Sequence, residues 1–190
     1  MSAVEKRATC WGVVDPLMAD YHDREWGIPC HEDDALFERL MLEGFQAGLS
    51  WSTILNKREN FRRAFDGWDA RRIASYGEGD IARLLADAGI VRNRLKVAGA
   101  VRNATAFLAV RSEHGSFDRF VWSFVGGAPL ERPAPASFAD VPAKTAESDA
   151  MSKALQKRGF TFVGSTICYA FMQSVGMVND HLAHCPARNG

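Results

Sequence analysis

Residues 86–102, ADAGIVRNRLKVAGAVR, hold the stretch on which the topology turns. Gly89 and Ile90 form a very short connection between two segments with helical apolar spacing, Ile81, Leu84 and Leu85 before it and Val97, Val101, Ala104 and Leu108 after it. Helices joined so tightly pack side by side, which is a helix-hairpin-helix pattern. Arg92, Arg94 and Lys96 crowd the first turns of the second helix, where the helix dipole favours acids by about 0.3–1 kcal/mol per charge. An anion bound at that end resolves the conflict. Backbone N–H groups at a helix N-terminus, reached closely beside Gly89, make a phosphate site, and the three cations add counterion release on DNA. An ordinary α-hairpin with a solvated basic face accounts for the same residues, so they do not decide alone.

Working outward, residues 43–51, EGFQAGLSW, place a carboxylate and an indole at the two ends of a Gly-interrupted segment. In a helix capped by Asp33 or Asp34, Leu36, Phe37, Leu40, Met41 and Ala47 share one face and Glu43 borders it, while Glu38 and Arg39 project to solvent. Even a neutral polar group costs on the order of 2–7 kcal/mol to bury unpaired, so Glu43 needs a partner or a ligand. Gly48 ends that helix and Ser50 caps the next, with Trp51, Ile54, Leu55, Phe61 and Phe65 inward and Lys57, Arg58, Arg62 and Arg63 outward. Short helices are expected at 69–76, 79–88 and 117–125, then an ordered surface loop holding Pro129, Pro133, Pro135 and Pro142. Ser148 caps a helix over 149–158 that Gly159 stops, and 165–175, apolar on most faces and carrying Cys168, reads as a buried central helix. The fold class is all-α, in one domain spanning 1–190.

Lysine plus arginine balance aspartate plus glutamate, 23 against 23, so a polyanionic partner must be met by a local patch. No apolar run has signal-peptide length or approaches the roughly 20 residues of a membrane span, which points to a cytoplasmic protein without a membrane partner. Cys10, Cys30, Cys168 and Cys185 then read as thiols or metal ligands before disulfides. His181 and Cys185 stand four residues apart, and Cys10 and His22 can complete a Cys2His2 tetrahedron, a common structural zinc set. Cys30, His31 and His184 compete as donors. The stretch DYHDREW at 20–26 is dense in rings and charges, and its plain reading is a surface loop packed back on the core.

Taken together, DYHDREWG at 20–27, EGFQAGLSW at 43–51, KREN at 57–60, AGIVRNR at 88–94, FVWSFV at 120–125, SDAMSKALQKRGFTFVG at 148–164 and ICYAFMQSVGMVNDH at 167–181 resemble the bacterial 3-methyladenine DNA glycosylase I family over most of the chain. The resemblance implies an all-α helix-hairpin-helix glycosylase fold of two packed lobes, with one zinc ion on Cys10, His22, His181 and Cys185 joining the terminal segments. It implies a monomer that flips 3-methyladenine out of double-stranded DNA and hydrolyses its glycosidic bond. Glu43 matches the glutamate that reads the base, Tyr21 and Trp51 its aromatic walls, and Trp26 a further pocket aromatic. Two departures are visible: Trp11, a further candidate base-binding wall, directly follows Cys10, where the family more often has an intervening residue, and Met18 replaces a frequent pocket tyrosine. Leu49 is a candidate wedge for the gap left by the flipped base, with a core position as its alternative. Gly89, Arg92, Arg94 and Lys96 are the candidate DNA grip, with Lys153, Lys157 and Arg158 a secondary one. The rival reading from another class is a zinc-stapled damage-binding module without turnover.

Overall fold

The computed structural model describes residues 7–189. Asp15 starts the first helix, α1 (Pro16–Arg24): its carboxylate accepts from the Met18 N–H at 2.9 Å, and Pro16 occupies a position where no amide is needed. The ring-rich stretch expected as a loop is therefore largely helical, because the turn signal Asp15-Pro16 is a helix start. Then come α2 (Asp33–Gln46), α3 (Trp51–Ala64), α4 (Ala70–Ala74), α5 (Glu78–Ala86), α6 (Arg94–His114), α7 (Phe117–Trp122), α8 (Ala146–Lys157) and α9 (Ser165–Ser174). The α4 and α5 segments are shorter than their apolar spacing suggested. One addition to the all-α expectation is a small antiparallel hairpin, β1 (Arg7–Thr9) and β2 (Gly12–Val14), in the register Arg7 to Val14 and Thr9 to Gly12.

The connection from α5 to α6 is longer than Gly89-Ile90: it runs from Asp87 to Asn93. Asp87 accepts the Gly89 N–H at 2.7 Å, and Asn93 caps α6 by accepting the Lys96 N–H at 3.1 Å. From α3, Lys57 Nζ donates to the carbonyls of Ala88 and Gly89 at 3.1 and 3.2 Å, and Asn60 Nδ2 to that of Gly89 at 3.2 Å. The KREN stretch thus clamps the turn, and a Cβ on Gly89 would meet Asp87 Oδ1 at 2.9 Å.

Two caps differ from expectation. Glu32 takes the N-cap position of α2 without a side-chain bond, while Asp33 reaches across to accept the Phe117 and Asp118 N–H groups at 3.1 and 2.8 Å and so caps α7. Thr145, not Ser148, caps α8, in a reciprocal pair with Ser148 at the third helical position. One continuous core runs from Leu36 to Val178 and includes Phe37, Phe61, Phe65, Trp68, Phe107 and Phe117, with Cys168 of α9 as a small core residue. No helix among the described residues is long and apolar enough to cross a membrane.

The proline-rich segment is an ordered loop that leans on the chain's end: Leu130 N–H donates to Met177 O and Ala183 N–H to Pro135 O, both at 2.9 Å. Glu38 and Arg39 are not solvated. Glu38 is 9 % exposed and accepts from Arg58 Nε at 2.6 Å and Arg62 Nε at 3.0 Å, while Arg58 also grips Glu25 at 2.8 Å. Arg39 donates to the Ser174 carbonyl and reaches Glu25 Oε2 at 3.5 Å. Helical spacing placed these charges off the apolar stripe, but α1 and α3 cover that flank with opposite charges.

Candidate functional site

A second, smaller aromatic cluster lies beside the main core: Tyr21, Trp26 and Leu55 buried, with Trp11, Met18 and Trp51 packed against them. The β-hairpin delivers Trp11, because its two-residue turn is Cys10-Trp11, tightened by the Trp11 N–H donating to Thr9 Oγ1 at 3.0 Å and by Gly12 at φ +94°. Adjacency of Cys10 and Trp11 is thus accommodated by a turn that sets both beside His22, the sulfur 3.0 Å from its Nε2 and the indole 4.8 Å from its ring, while the indole also reaches the cavity. The Trp11 ring lies 4.9 Å from Trp26 and 6.1 Å from Tyr21, and Tyr21 lies 5.1 Å from Trp51.

These rings line a cavity of about 430 Å³ together with Val14, Met18, Glu43, Gln46, Phe138, Ala170 and Gln173. The volume suits a single planar heterocycle with room to spare. Glu43, 5 % exposed, is the cavity's one carboxylate, and its oxygens have no hydrogen-bond partner among the described residues. Burial pushes its carboxyl up to about 8, against the opposing pull of Arg39 one turn earlier. Burial and the Glu43 charge also hold the Tyr21 phenol well above its ordinary value. The Trp51 indole N–H is likewise buried without a partner among the described residues. A small aromatic box with an unpaired acid suits a flat, electron-poor ring with a donor edge.

The tip between α2 and α3 lies beside this box. Gly48 at φ +82° turns the chain, Ser50 caps α3 by accepting the Thr53 N–H at 3.2 Å, and Leu49 between them is 43 % exposed, so it is not a core residue. Lys96 is a correction to the expected cationic patch. Only 8 % exposed, it turns away from the hairpin surface and donates to the carbonyls of Phe45 at 2.9 Å and Ala47 at 2.6 Å, closing the C-terminal end of α2. Burial lowers its pKa. Arg92 and Arg94 remain exposed beside the 87–93 turn, with Gly89 inside it. Of the secondary cations, Lys153 and Lys157 are exposed, whereas Arg158 lies over the Phe120 ring at 4.6 Å and bonds Glu113.

At the joined ends of the chain, Cys10 Sγ, His22 and Cys185 Sγ offer ligand atoms that all lie within 4.8 Å of one another. His22 Nε2 faces Cys10 Sγ at 3.0 Å and Cys185 Sγ at 3.7 Å, while its Nδ1 is held by Asp23 at 2.7 Å. His181 packs edge-on against His22, ring centroids 4.6 Å apart, but stands outside that cluster with Nε2 3.1 Å from the His22 carbonyl. Its Nδ1 donates to Asn179 Oδ1 at 2.9 Å, an amide whose nitrogen donates to Arg188 O. The ring of His181 is thus held from both sides, by the Asn179 amide and by the His22 carbonyl. Cys30 packs on the core, His31 pairs with Asp118 at 2.7 Å, and exposed His184 stands apart.

Gln46, Gln173 and Phe138 were not singled out by the sequence. The glutamines sit inside the motif stretches and a polar residue on an otherwise apolar face could have flagged them, but Phe138 carries no such signal. The family model described as methyladenine glycosylase matches residues 11–189. The DNA-3-methyladenine glycosylase 1 of Escherichia coli (strain K12) is 49 % identical over 175 residues, covering 92 % of this chain and 93 % of that protein. The DNA-3-methyladenine glycosylase of Haemophilus influenzae is 47 % identical over 178 residues, covering 94 % and 96 %. A crystal structure of 3-methyladenine DNA glycosylase I superimposes with a TM-score of 0.91 at 50 % identity, over 95 % of this chain and 98 % of that one. The Staphylococcus aureus enzyme, whose structure addresses the structural basis of 3-methyladenine recognition, matches with a TM-score of 0.91 at 34 % identity, over 95 % and 96 %. With the match running through nearly its whole length, the chain belongs to the methyladenine glycosylase family.

Proposed function

We propose that the protein is a DNA repair glycosylase that flips 3-methyladenine out of alkylated double-stranded DNA and releases it by hydrolysis. The single observation that carries this reading is the aromatic box around a buried carboxylate with no partner of its own among the described residues. Turning a nucleotide out of the stack costs a few kcal/mol, less for a damaged base. Adenine alkylated at N3 is cationic, so the rings of Tyr21, Trp51, Trp26 and Trp11 attract it by roughly 0.5–2 kcal/mol per contact, which neutral adenine gains less of. Glu43, once ionised by that charge, accepts a hydrogen bond from the base edge. Its role is to recognise and orient the base. The glycosidic electron pair leaves with the base and neutralises it, water supplies the oxygen that ends on the sugar, and the water's proton goes to solvent. No lysine among the described residues lines the cavity, which supports hydrolysis over a Schiff-base mechanism.

On the DNA side, exposed Leu49 fills the gap in the stack and the α5–α6 turn, acting as a helix-hairpin-helix, holds the backbone with Gly89, Arg92 and Arg94. Lys96 has no part in that grip. One copy of the chain suffices for this arrangement, and the cytoplasm is the compartment it implies. The donor set at the joined ends, two thiols and a histidine oriented by Asp23, fits one zinc ion, with His181 as fourth ligand. Its buried ring, packed edge-on against His22 with centroids 4.6 Å apart, supports that assignment. When bound, the ion supplies no chemistry to the reaction and acts as a staple of the two ends.

Chromatography of bases released from methylated DNA tests the reading. We expect 3-methyladenine release well above the spontaneous rate, and a strong loss in Glu43→Gln. Release no faster than in the absence of protein would overturn it in favour of a damage-binding module.

A further inference from the structure

We propose that Phe138, on the loop between α7 and α8, is a specificity-determining residue that closes over the base held in the cavity. The inference rests on the functional reading above. Phe138 is a cavity-lining ring that lies outside the Tyr21–Trp26–Leu55 cluster and its satellites. It is also absent from the main core, although Leu130 and Val141 of the same loop pack there. The loop is therefore seated by its neighbours while Phe138 is displayed, 44 % exposed, at the cavity.

The display is built. Phe138 begins a single helical turn, Phe138–Asp140, whose start is closed by Asp140 Oδ2 accepting from the Ser137 N–H at 2.8 Å and the Ser137 hydroxyl at 3.1 Å. The Val141 N–H donates to Phe138 O at 3.2 Å, which fixes the backbone on the other side. Pro135 is tethered to Ala183 and Arg132 O accepts from Arg188, so the loop's position is set by the chain's end. An aromatic ring held open to water on a stiff turn loses apolar burial that a flat ligand would restore, at about 25 cal/mol per Å² covered. Met18, which stands where the family often has a tyrosine, lines the same cavity with a flexible, non-aromatic side chain. Phe138 thus supplies a π-face that position 18 does not, and a cationic purine gains from it more than a neutral one.

The test is titration of the protein with free 3-methyladenine at about pH 5, where protonation restores the positive charge that the released base has lost, and with adenine, which stays mostly neutral there, alongside steady-state base release from DNA. Phe138→Ala should bind 3-methyladenine about five- to tenfold more weakly, the scale of one aromatic contact, and adenine nearly as before, so the selectivity ratio falls. KM should rise with little change in kcat, and affinity for DNA carrying an abasic-site analogue should stay within about twofold, since that ligand leaves the cavity empty. Phe138→Trp should restore binding and selectivity, an outcome no loop defect predicts. Equal 3-methyladenine affinity in wild type and Phe138→Ala would overturn the inference alone. Equal losses for both bases would overturn it as well, making the ring a mere cover. A wild-type chain that binds no 3-methyladenine would overturn the functional reading beneath it.

Discussion

Glu43 sits where an ionised carboxylate is costly, and the cost should be visible without any substrate. Its carboxyl is pushed up to about 8 by burial, whereas in the unfolded chain it titrates near 4.5. Between these values the folded protein keeps a proton that the unfolded chain has released. Stability contributed by this group is therefore fully present below about 4.5, falls as pH rises, and levels off above about 8. At about 1.4 kcal/mol per pH unit the swing amounts to a few kcal/mol. Glu43→Gln removes it. Thermal melts should show the variant and wild type close together near pH 5 and the variant several degrees more stable near pH 8.5. Parallel melting curves across that range would mean that Glu43 is not the strained acid described here. In the function proposed above the same strain would serve recognition, because a cationic ring in the box would stabilise the ionised form of Glu43.

Two cations two residues apart at the start of α6 separate local pattern from tertiary placement. Arg94 is exposed beside the hairpin, so Arg94→Ala should weaken DNA binding and lower the slope of log affinity against log salt by about one, with free-base binding unchanged. Lys96→Met instead leaves the Phe45 and Ala47 carbonyls buried without their donor, at about 1–3 kcal/mol. It should lower the melting temperature and, by loosening the Gly48–Leu49 tip, reduce base release from duplex DNA more than it reduces free-base binding. A loss of salt dependence equal to that of Arg94→Ala would return Lys96 to the DNA surface. Some element boundaries were legible because capping and apolar period are local: Ser50, Gly48 and Gly159 act where their types say they should, whereas the start of α1 and the caps of α2 and α8 were not. What could not be read was any partner far along the chain. Lys96 serves a helix end some fifty residues upstream, Asp33 caps α7, and Glu38 is buried by arginines of α3, none of which leaves a periodic trace. In the cavity, Glu43 was legible as a misplaced acid, whereas Phe138 is one apolar residue in a proline-rich loop and becomes visible only when the loop is folded.

At the scale of the whole chain, the joined ends and the cavity share side chains, so loss of the metal proposed there should be felt in the pocket. The Trp26 ring lies 4.7 Å from His181 and 6.1 Å from His22, and Trp11 lies 4.8 Å from His22, so two walls of the box lean on proposed ligands. Gly27, at φ +76°, makes room for this, since a Cβ there would approach His181 Nδ1 at 3.1 Å. Burial first, and the neighbouring Cys185, push the Cys10 thiol up to about 11, so that sulfur carries no charge with which to hold the other end. Metal binding replaces two protons by one cation, and much of its free energy becomes cohesion of the termini. Purified protein should contain one zinc per chain by elemental analysis. Prolonged chelation should lower the melting temperature, make Cys10 and Cys185 reactive to a thiol reagent while Cys168 in the core stays protected, and weaken free 3-methyladenine binding through Trp11 and Trp26. Cys185→Ser should reproduce all three effects, and Cys30→Ser none of them. Were chelation to leave thiol reactivity and base affinity untouched, the ends would be joined by packing alone and the aromatic box would stand independently of them.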